Sequence, residues 1–153
     1  MTSTETDLRE RNKQLVRRFL GALEAVDVEG FLDLWADNGV QEMPFAPRGF
    51  PDRLDGKEAI RRQYGGLPEA YTRMAFPIAD LQTMEDPAWV VAQYRGEIDL
   101  ASGGTYNNRY VGIFQIGDDG RIQLFREHFD PIVLQDAFGG AEALARTFNL
   151  EGS

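Results

Sequence analysis

The sequence predicts an α+β fold in which helices pack on one face of an antiparallel sheet. In the N-terminal part, apolar residues recur every three or four positions, which is typical of amphipathic helices. From about residue 73, runs rich in β-branched and aromatic residues alternate with turn-forming residues, which is typical of strands. Helices first and strands afterwards indicate an α+β architecture.

Two helices are predicted at the start of the chain. The first spans residues 8–25, and its basic residues are interpreted as a solvated face. Its apolar face carries Leu15, Val16, Phe19, Leu20 and Leu23. Asp27 is expected to cap the second helix, which Asn38-Gly39 would end. The buried side of that helix is expected to hold Phe31, Leu32, Leu34 and Trp35.

The middle of the chain is predicted to be extended, then irregular, then helical. Residues 40–45 form a short strand, and the three prolines that follow favour a loop over residues 44–51. A third helix is predicted over residues 57–64, where Gly65-Gly66 ends it.

Four long strands and a closing helix are predicted in the C-terminal half. The strands span residues 74–84, 89–100, 105–116 and 121–130. Pro131 suits the first turn of a helix over residues 131–138.

Length and composition bound the domain organisation and the partners. A chain of 153 residues fits one domain with a core, which we expect over residues 8–140. We expect a disordered tail at residues 1–7 and a helix or tail at residues 141–153. The net charge of −9 argues against nucleic acid or an anionic membrane as partner. With no leader-like segment and no long apolar run, the chain is expected to be cytoplasmic.

Glu127 is the strongest candidate for chemistry. It shares one strand face with Phe125 and Phe129, so its carboxylate would lie between two phenylalanine rings. Desolvation of such a group raises its pKa, which suits acid–base catalysis. The alternative is a structural ion pair with Arg95 or Arg109.

Other polar residues are weaker candidates. Tyr106, Asn108 and Tyr110 share a face of the partner strand, where they would orient a substrate carbonyl or pack in the core. Glu97 and Glu42 are two further candidate carboxylates, although each is also compatible with an exposed position.

His128 is the only histidine, and it falls on the strand face opposite Glu127. We therefore expect it on the outer face of the sheet rather than in catalysis. The scattered carboxylates show no metal-ligand spacing, and neither a dinucleotide motif nor a nucleophile elbow occurs. We expect neither a metal nor a cofactor.

Three stretches of the chain carry the motifs of a known family. They are residues 16–40, with the opening helix pair, Leu54-Asp-Gly-Lys-Glu-Ala-Ile at the start of the third helix, and the paired strands. The paired strands carry Tyr106-Asn-Asn-Arg-Tyr, Asp119-Gly-Arg-Ile and Arg126-Glu-His-Phe-Asp-Pro. Together these stretches resemble the nuclear transport factor 2-like superfamily, and its SnoaL-like and PhzA/PhzB-like branch in particular.

This resemblance implies a cone-shaped α+β barrel with a pocket between helices and a strongly curved sheet. Glu127 matches the acid–base glutamate of the phenazine-pathway members, whereas a pocket histidine of those proteins falls near Gln63. Against ketosteroid isomerase, the tyrosine of its first helix falls on Phe19 and its base on Met43, so steroid isomerisation is not expected. The expected substrate-binding set comprises Tyr106, Asn108, Tyr110, Phe125, Phe129, Trp35, Phe19, Gln63 and Met43.

We expect a small cofactor-free enzyme of cyclase, isomerase or dehydratase type, acting on an apolar carbonyl-bearing metabolite in secondary metabolism. One alternative is a non-catalytic ligand-binding or dimerisation module of the same fold. Another is epoxide hydrolysis or opening by Glu127 paired with Glu97 or Glu42. The resemblance also implies a homodimer through the outer face of the sheet, with Val111, Ile113 and Leu124 in the contact.

Overall fold

The computed structural model describes residues 3–147, and within them the chain forms six helices and one seven-stranded sheet. The helices are α1 (Ser3–Glu24), α2 (Val28–Leu32), α3 (Lys57–Tyr64), α4 (Leu67–Ala70), α5 (Pro131–Ala137) and α6 (Ala141–Thr147). The strands are β1 (Trp35–Glu42), β2 (Arg53–Asp55), β3 (Tyr71–Ala75), β4 (Ile78–Thr83), β5 (Trp89–Leu100), β6 (Thr105–Ile116) and β7 (Ile122–Phe129).

The sheet is mostly antiparallel and contains one parallel pair of neighbouring strands. Its order is β2-β1-β7-β6-β5-β3, and β4 pairs with β5 beside β3. Only β1 and β7, among the strands described, run parallel. The α+β class is thereby confirmed, and the predicted bounds of α3, β5 and β6 agree with the structure.

Helix α1 packs its apolar stripe on the sheet and begins earlier than predicted. The tail predicted for residues 1–7 is wrong for residues 3–7, which are helical, while residues 1 and 2 lie outside the described residues. Arg9 explains the extension, because it pairs with Glu5 one turn back at 2.8 Å. Arg9 also donates to the Thr83 hydroxyl at 2.8 Å, which ties the start of the helix to the end of β4.

Helix α2 begins as predicted but ends sooner. The Asp27 side chain accepts a hydrogen bond from the Gly30 amide at 3.0 Å, which confirms the predicted cap. The predicted stop at Asn38-Gly39 is wrong, because both residues lie inside β1. A Cβ on Gly39 would lie 2.7 Å from the Trp35 ring, so glycine is needed here for close packing within an irregular strand.

The strand predicted over residues 74–84 is two strands, β3 and β4. Pro77 lacks an amide hydrogen and interrupts the ladder with β5. The Phe76 amide leaves the sheet and donates to the Glu24 carboxylate at 2.7 Å. This bend lets both strands pair with the same edge of β5.

The sequence did not indicate the short elements β2 and α4, which contribute one buried leucine each, Leu54 and Leu67. Of the C-terminal segment, residues 141–147 are helical, and residues 148–153 lie outside the described residues. None of the helices described here is long and apolar enough to cross a membrane.

Candidate functional site

A pocket of about 90 Å³ lies between the sheet and the helices. Its lining includes residues of strands β3, β5, β6 and β7, of helices α1, α3, α4 and α5, and Gln41 of β1. Most of the lining side chains are aromatic or aliphatic, and a few polar groups converge on them. This combination is typical of small-molecule sites.

Glu127 is the one charged side chain among the described residues that line this pocket. Strand β7 turns Glu127 toward the interior, since Phe125 and Phe129 on the same strand face are buried. Directly opposite on β6 lies Gly112, which has no side chain. Burial raises the pKa of Glu127 from its ordinary value of 4.5 to about 7, and a hydrogen-bonding interaction with the Tyr94 hydroxyl partly offsets the rise. The carboxyl group is thus available both as a base and as an acid near neutral pH.

Five tyrosines surround this carboxylate. They are Tyr64, Tyr71, Tyr94, Tyr106 and Tyr110, and all of them line the pocket. Burial raises the pKa of each hydroxyl, and the negative charge of Glu127 raises it further. The five hydroxyls therefore stay protonated around neutral pH and act as neutral hydrogen-bonding groups.

Two hydrogen-bonded groups organise these hydroxyls. At one, Tyr64 donates to the buried Gln41 side chain at 2.9 Å. At the other, Asn108 donates to the Tyr106 oxygen at 2.8 Å, and Tyr110 donates to the same oxygen at 3.1 Å. Polar groups in the pocket are therefore held in defined positions by strands β1 and β6.

The expected substrate-binding residues divide into two groups. Those that line the pocket are Tyr106, Tyr110, Phe129, Gln63 and Met43. Asn108 lies behind Tyr106 and contacts its hydroxyl. Phe19, Trp35 and Phe125 do not line the pocket, because they pack against one another in the core with ring centroids 4.9–6.4 Å apart.

The structure does not bring Glu42 and Glu97 together with Glu127. Glu42 lies 3.6 Å from Arg126 and 3.9 Å from Arg53 at the surface. The side chain of Glu97 is 43% exposed and lies 3.9 Å from Arg95. Neither carboxylate lines the pocket, so the structure does not assemble the predicted carboxylate pair.

The opposite strand face carries His128, as its alternation with Glu127 predicts. The imidazole packs edge-on against Phe45 at 5.3 Å and contacts the Val111 carbonyl oxygen at 3.3 Å. Val111 is 38% exposed on this face, and dimerisation through it stays a prediction. Within residues 3–147, no three potential metal-ligating side chains cluster.

Sequence reasoning missed Gln41, Tyr64 and Tyr94. Gln41 has the same alternation as Met43, whereas the sequence interpretation favoured its neighbour Glu42. Tyr94 lies in line with the buried residues of β5, so strand alternation alone was sufficient to find it. Tyr64 follows the buried Ile60 by four positions on α3, which predicts a buried ring, but nothing in the sequence indicates that its hydroxyl reaches a pocket.

Comparison with known proteins identifies the family. Residues 16–125 match the SnoaL-like domain. An uncharacterised PhzA/B-like protein of Pseudomonas aeruginosa is 31% identical over 88% of this chain and 94% of its own length. The crystal structure of a putative isomerase from Bacillus subtilis shares 28% identity and a TM-score of 0.79, covering 86% of this chain and 94% of that one.

A further structure supports the fold alone. An NTF2-like protein of unknown function from Burkholderia pseudomallei is 19% identical, with a TM-score of 0.72 over 85% of this chain and 98% of that one. These matches agree with the observed architecture, in which a pocket lies between the sheet and the helices that cover it. The chain therefore belongs to the SnoaL-like family and has the NTF2-like cone fold.

Proposed function

We propose that this protein is a cofactor-free acid–base enzyme of isomerase or cyclase type, acting on a small apolar metabolite that carries a carbonyl group. One observation carries the proposal: Glu127 is a carboxylate in an aromatic pocket, and burial raises its pKa to about 7. The likeness to a putative isomerase from Bacillus subtilis supports the reaction class.

Proton transfer next to a carbonyl is the step that this site favours. The Glu127 carboxylate removes a proton from the α-carbon, the electrons of that C–H bond move into the carbonyl group, and an enolate forms. The protonated Glu127 then returns the proton to another carbon of the conjugated enolate, which completes an isomerisation. A carboxyl group with a pKa near the working pH serves both steps, because each protonation state is well populated.

The absence of a positive partner supports this role. Glu42 and Glu97 each lie within 3.9 Å of an arginine, whereas no ion pair to Glu127 occurs within the described part of the chain. An arginine at this position would hold the carboxylate in its charged form and weaken it as an acid. Epoxide opening by paired carboxylates is not favoured, because the described lining of the pocket contains a single carboxylate.

The test is hydrogen–deuterium exchange at the α-carbons of cyclohexanone and cyclohex-2-enone in D₂O, followed by NMR. The wild-type protein should accelerate exchange, with kcat/KM rising with pH and reaching half of its maximum near pH 7, since the base is the ionised form. Glu127→Gln should lower the enzymatic rate by about 100- to 10,000-fold.

Glu42→Gln is the matched control, since it removes an ion-paired surface carboxylate next to the same strand. Its rate should stay within about twofold of wild type, because it does not reach the pocket. Equal exchange rates for wild type and Glu127→Gln would overturn the assignment of Glu127. A wild-type rate no faster than exchange without protein would leave ligand binding without catalysis as the function.

A further inference from the structure

The amide of Asn108 is locked in one orientation by the backbone around it. Its oxygen accepts from the Arg109 amide at 2.8 Å and from the Asp130 amide at 3.1 Å. Its nitrogen donates to the Asp130 carbonyl at 3.0 Å. Turning the amide round would set its oxygen against that carbonyl and its nitrogen against two N–H groups, so the backbone fixes which end is the donor.

This orientation determines the direction of the next hydrogen bond. The second N–H of Asn108 points at the Tyr106 oxygen, 2.8 Å away, and Tyr106 has to accept it. Tyr110 donates to the same oxygen at 3.1 Å. A phenolic oxygen that accepts two hydrogen bonds has no acceptor capacity left, but it still has its own proton to donate.

With Tyr110 as the donor of the 3.1 Å bond, the hydrogen bonds of the described residues give the Tyr106 proton no acceptor, and Tyr106 lines the pocket. The Tyr106 ring is held in place by an edge-on contact with Phe138, with centroids 5.9 Å apart. Asn108 and Tyr106 are 6% and 5% exposed, so water does not compete freely for these hydrogen bonds.

We propose that Tyr106 is the donor that binds the carbonyl oxygen of the substrate, and that Asn108 is the positioning residue that keeps Tyr106 a donor. The pocket then has a donor end at Tyr106 and a proton-accepting group at Glu127. Its substrate class is a neutral ketone or aldehyde with an enolisable α-carbon. The substrate class rests on the proposed function, whereas the donor direction rests on the hydrogen bonds alone.

In the enolate the carbonyl oxygen becomes negative, and a preorganised donor stabilises it more than it stabilises the ketone. Burial raises the pKa of Tyr106 to about 12, so the hydroxyl keeps its proton around neutral pH. Removal of such a donor lowers the rate by about 100- to 1,000-fold in comparable sites.

The test uses cyclohex-2-enone and the infrared stretch of its carbonyl group, measured as a difference spectrum on binding. The wild-type protein should shift the stretch to lower wavenumber, because a hydrogen bond weakens the C=O bond. Tyr106→Phe should abolish the shift. Asn108→Asp should abolish it too, because the new carboxylate oxygen accepts the Tyr106 proton and turns it away from the pocket.

Asn107→Asp is the control for the added charge, since Asn107 is exposed on the opposite face of the same strand. It should keep the shift. Circular dichroism checks that each variant is folded, and if Asn108→Asp does not fold, Tyr106→Phe still decides whether Tyr106 is the donor.

Glu127→Gln separates this inference from the proposed function. It should lose α-proton exchange and keep the carbonyl shift. Exchange lost in Glu127→Gln, together with an unchanged shift in Tyr106→Phe, would overturn this inference and leave the proposed function standing. A wild-type protein that binds no enone, or binds it without a shift, would overturn the donor assignment as well.

Discussion

Two aromatic clusters lie side by side in this molecule, and they differ in what fills the space between their rings. The phenylalanine cluster consists of Phe19, Phe31, Trp35, Phe114 and Phe125, all fully buried. Its rings touch one another, and Phe114 stacks on Phe125 at 4.5 Å. The tyrosine cluster consists of Tyr64, Tyr71, Tyr94, Tyr106 and Tyr110, and it surrounds a pocket and the Glu127 carboxyl group.

The same strands build both clusters. On β7, Phe125 belongs to the packed cluster and Glu127, two residues later, belongs to the pocket. On β6, Phe114 belongs to the packed cluster and Tyr110 lines the pocket. The core thus changes from filled to hollow within about 7 Å along a strand. Stability is expected to depend mainly on the first cluster, and function on the second.

The largest expected effect on stability is in the packed cluster. Phe125→Ala should lower the free energy of unfolding by about 3–5 kcal/mol, since it removes a ring that contacts Phe19, Trp35 and Phe114 and leaves a cavity. Urea denaturation followed by fluorescence measures this loss.

Phe129→Ala is the matched comparison on the same strand face. Phe129 is also buried, but it borders the pocket and therefore has fewer atoms around it to lose. Its loss of stability should be smaller than that of Phe125→Ala. Equal losses would contradict the division into a packed cluster and a hollow one.

The second expected effect is a pH-dependent gain of stability in Glu127→Gln. The pKa of Glu127 is about 7 in the folded protein and ordinarily 4.5, so the folded state binds the proton more tightly. The stability of the wild type should therefore fall as pH rises from about 4.5 to 7, by about 3 kcal/mol in total. The variant lacks this loss, so it should match the wild type near pH 4 and exceed it at pH 8.

Urea denaturation of both proteins across this pH range measures the difference. Glu97→Gln is the control, since Glu97 is exposed and lies outside the pocket, and it should change stability by less than about 0.5 kcal/mol. Parallel stability curves for the wild type and Glu127→Gln would show that the carboxyl group is not desolvated in the folded protein.

Most of the fold was predictable because it depends on short-range patterns. Strand alternation located β5 and β6 and placed Glu127 inside and His128 outside. The errors fall where distant contacts override local preference. Asn38-Gly39 is a helix stop in isolation, but the Trp35 ring packs against Gly39, and β1 pairs with β7 on both sides of the dipeptide, at Trp35 and at Val40. At the N-terminus, contacts of Arg9 with β4 extend a helix that the sequence alone would fray.

The candidate site was predictable only in part, for a geometric reason. Alternation tells which side of the sheet a residue faces, but not whether rings from other elements fill the space in front of it. Phe125 and Glu127 face the same side, yet Phe19 from α1 covers Phe125, whereas the pocket opens before Glu127. The role of Asn108 depends on the Asp130 backbone, 22 residues away, and no local pattern predicts that contact.

The smallest of the expected effects concerns Gly112, which lies at the boundary between the clusters and directly opposite Glu127. A Cβ there would lie 2.8 Å from the Phe125 ring, 3.1 Å from the Phe114 ring and 3.3 Å from the Tyr94 ring. Because packed rings cannot give way freely, Gly112→Ala should lower the free energy of unfolding by about 1–3 kcal/mol. Gly21→Ala is the control, since nothing lies within 4 Å of its Cβ position on α1. It should instead raise stability by about 0.5–1 kcal/mol through helix propensity. Two alanines with opposite effects in urea denaturation would show that the rings of the two clusters meet at Gly112 without spare room, and equal effects would contradict it.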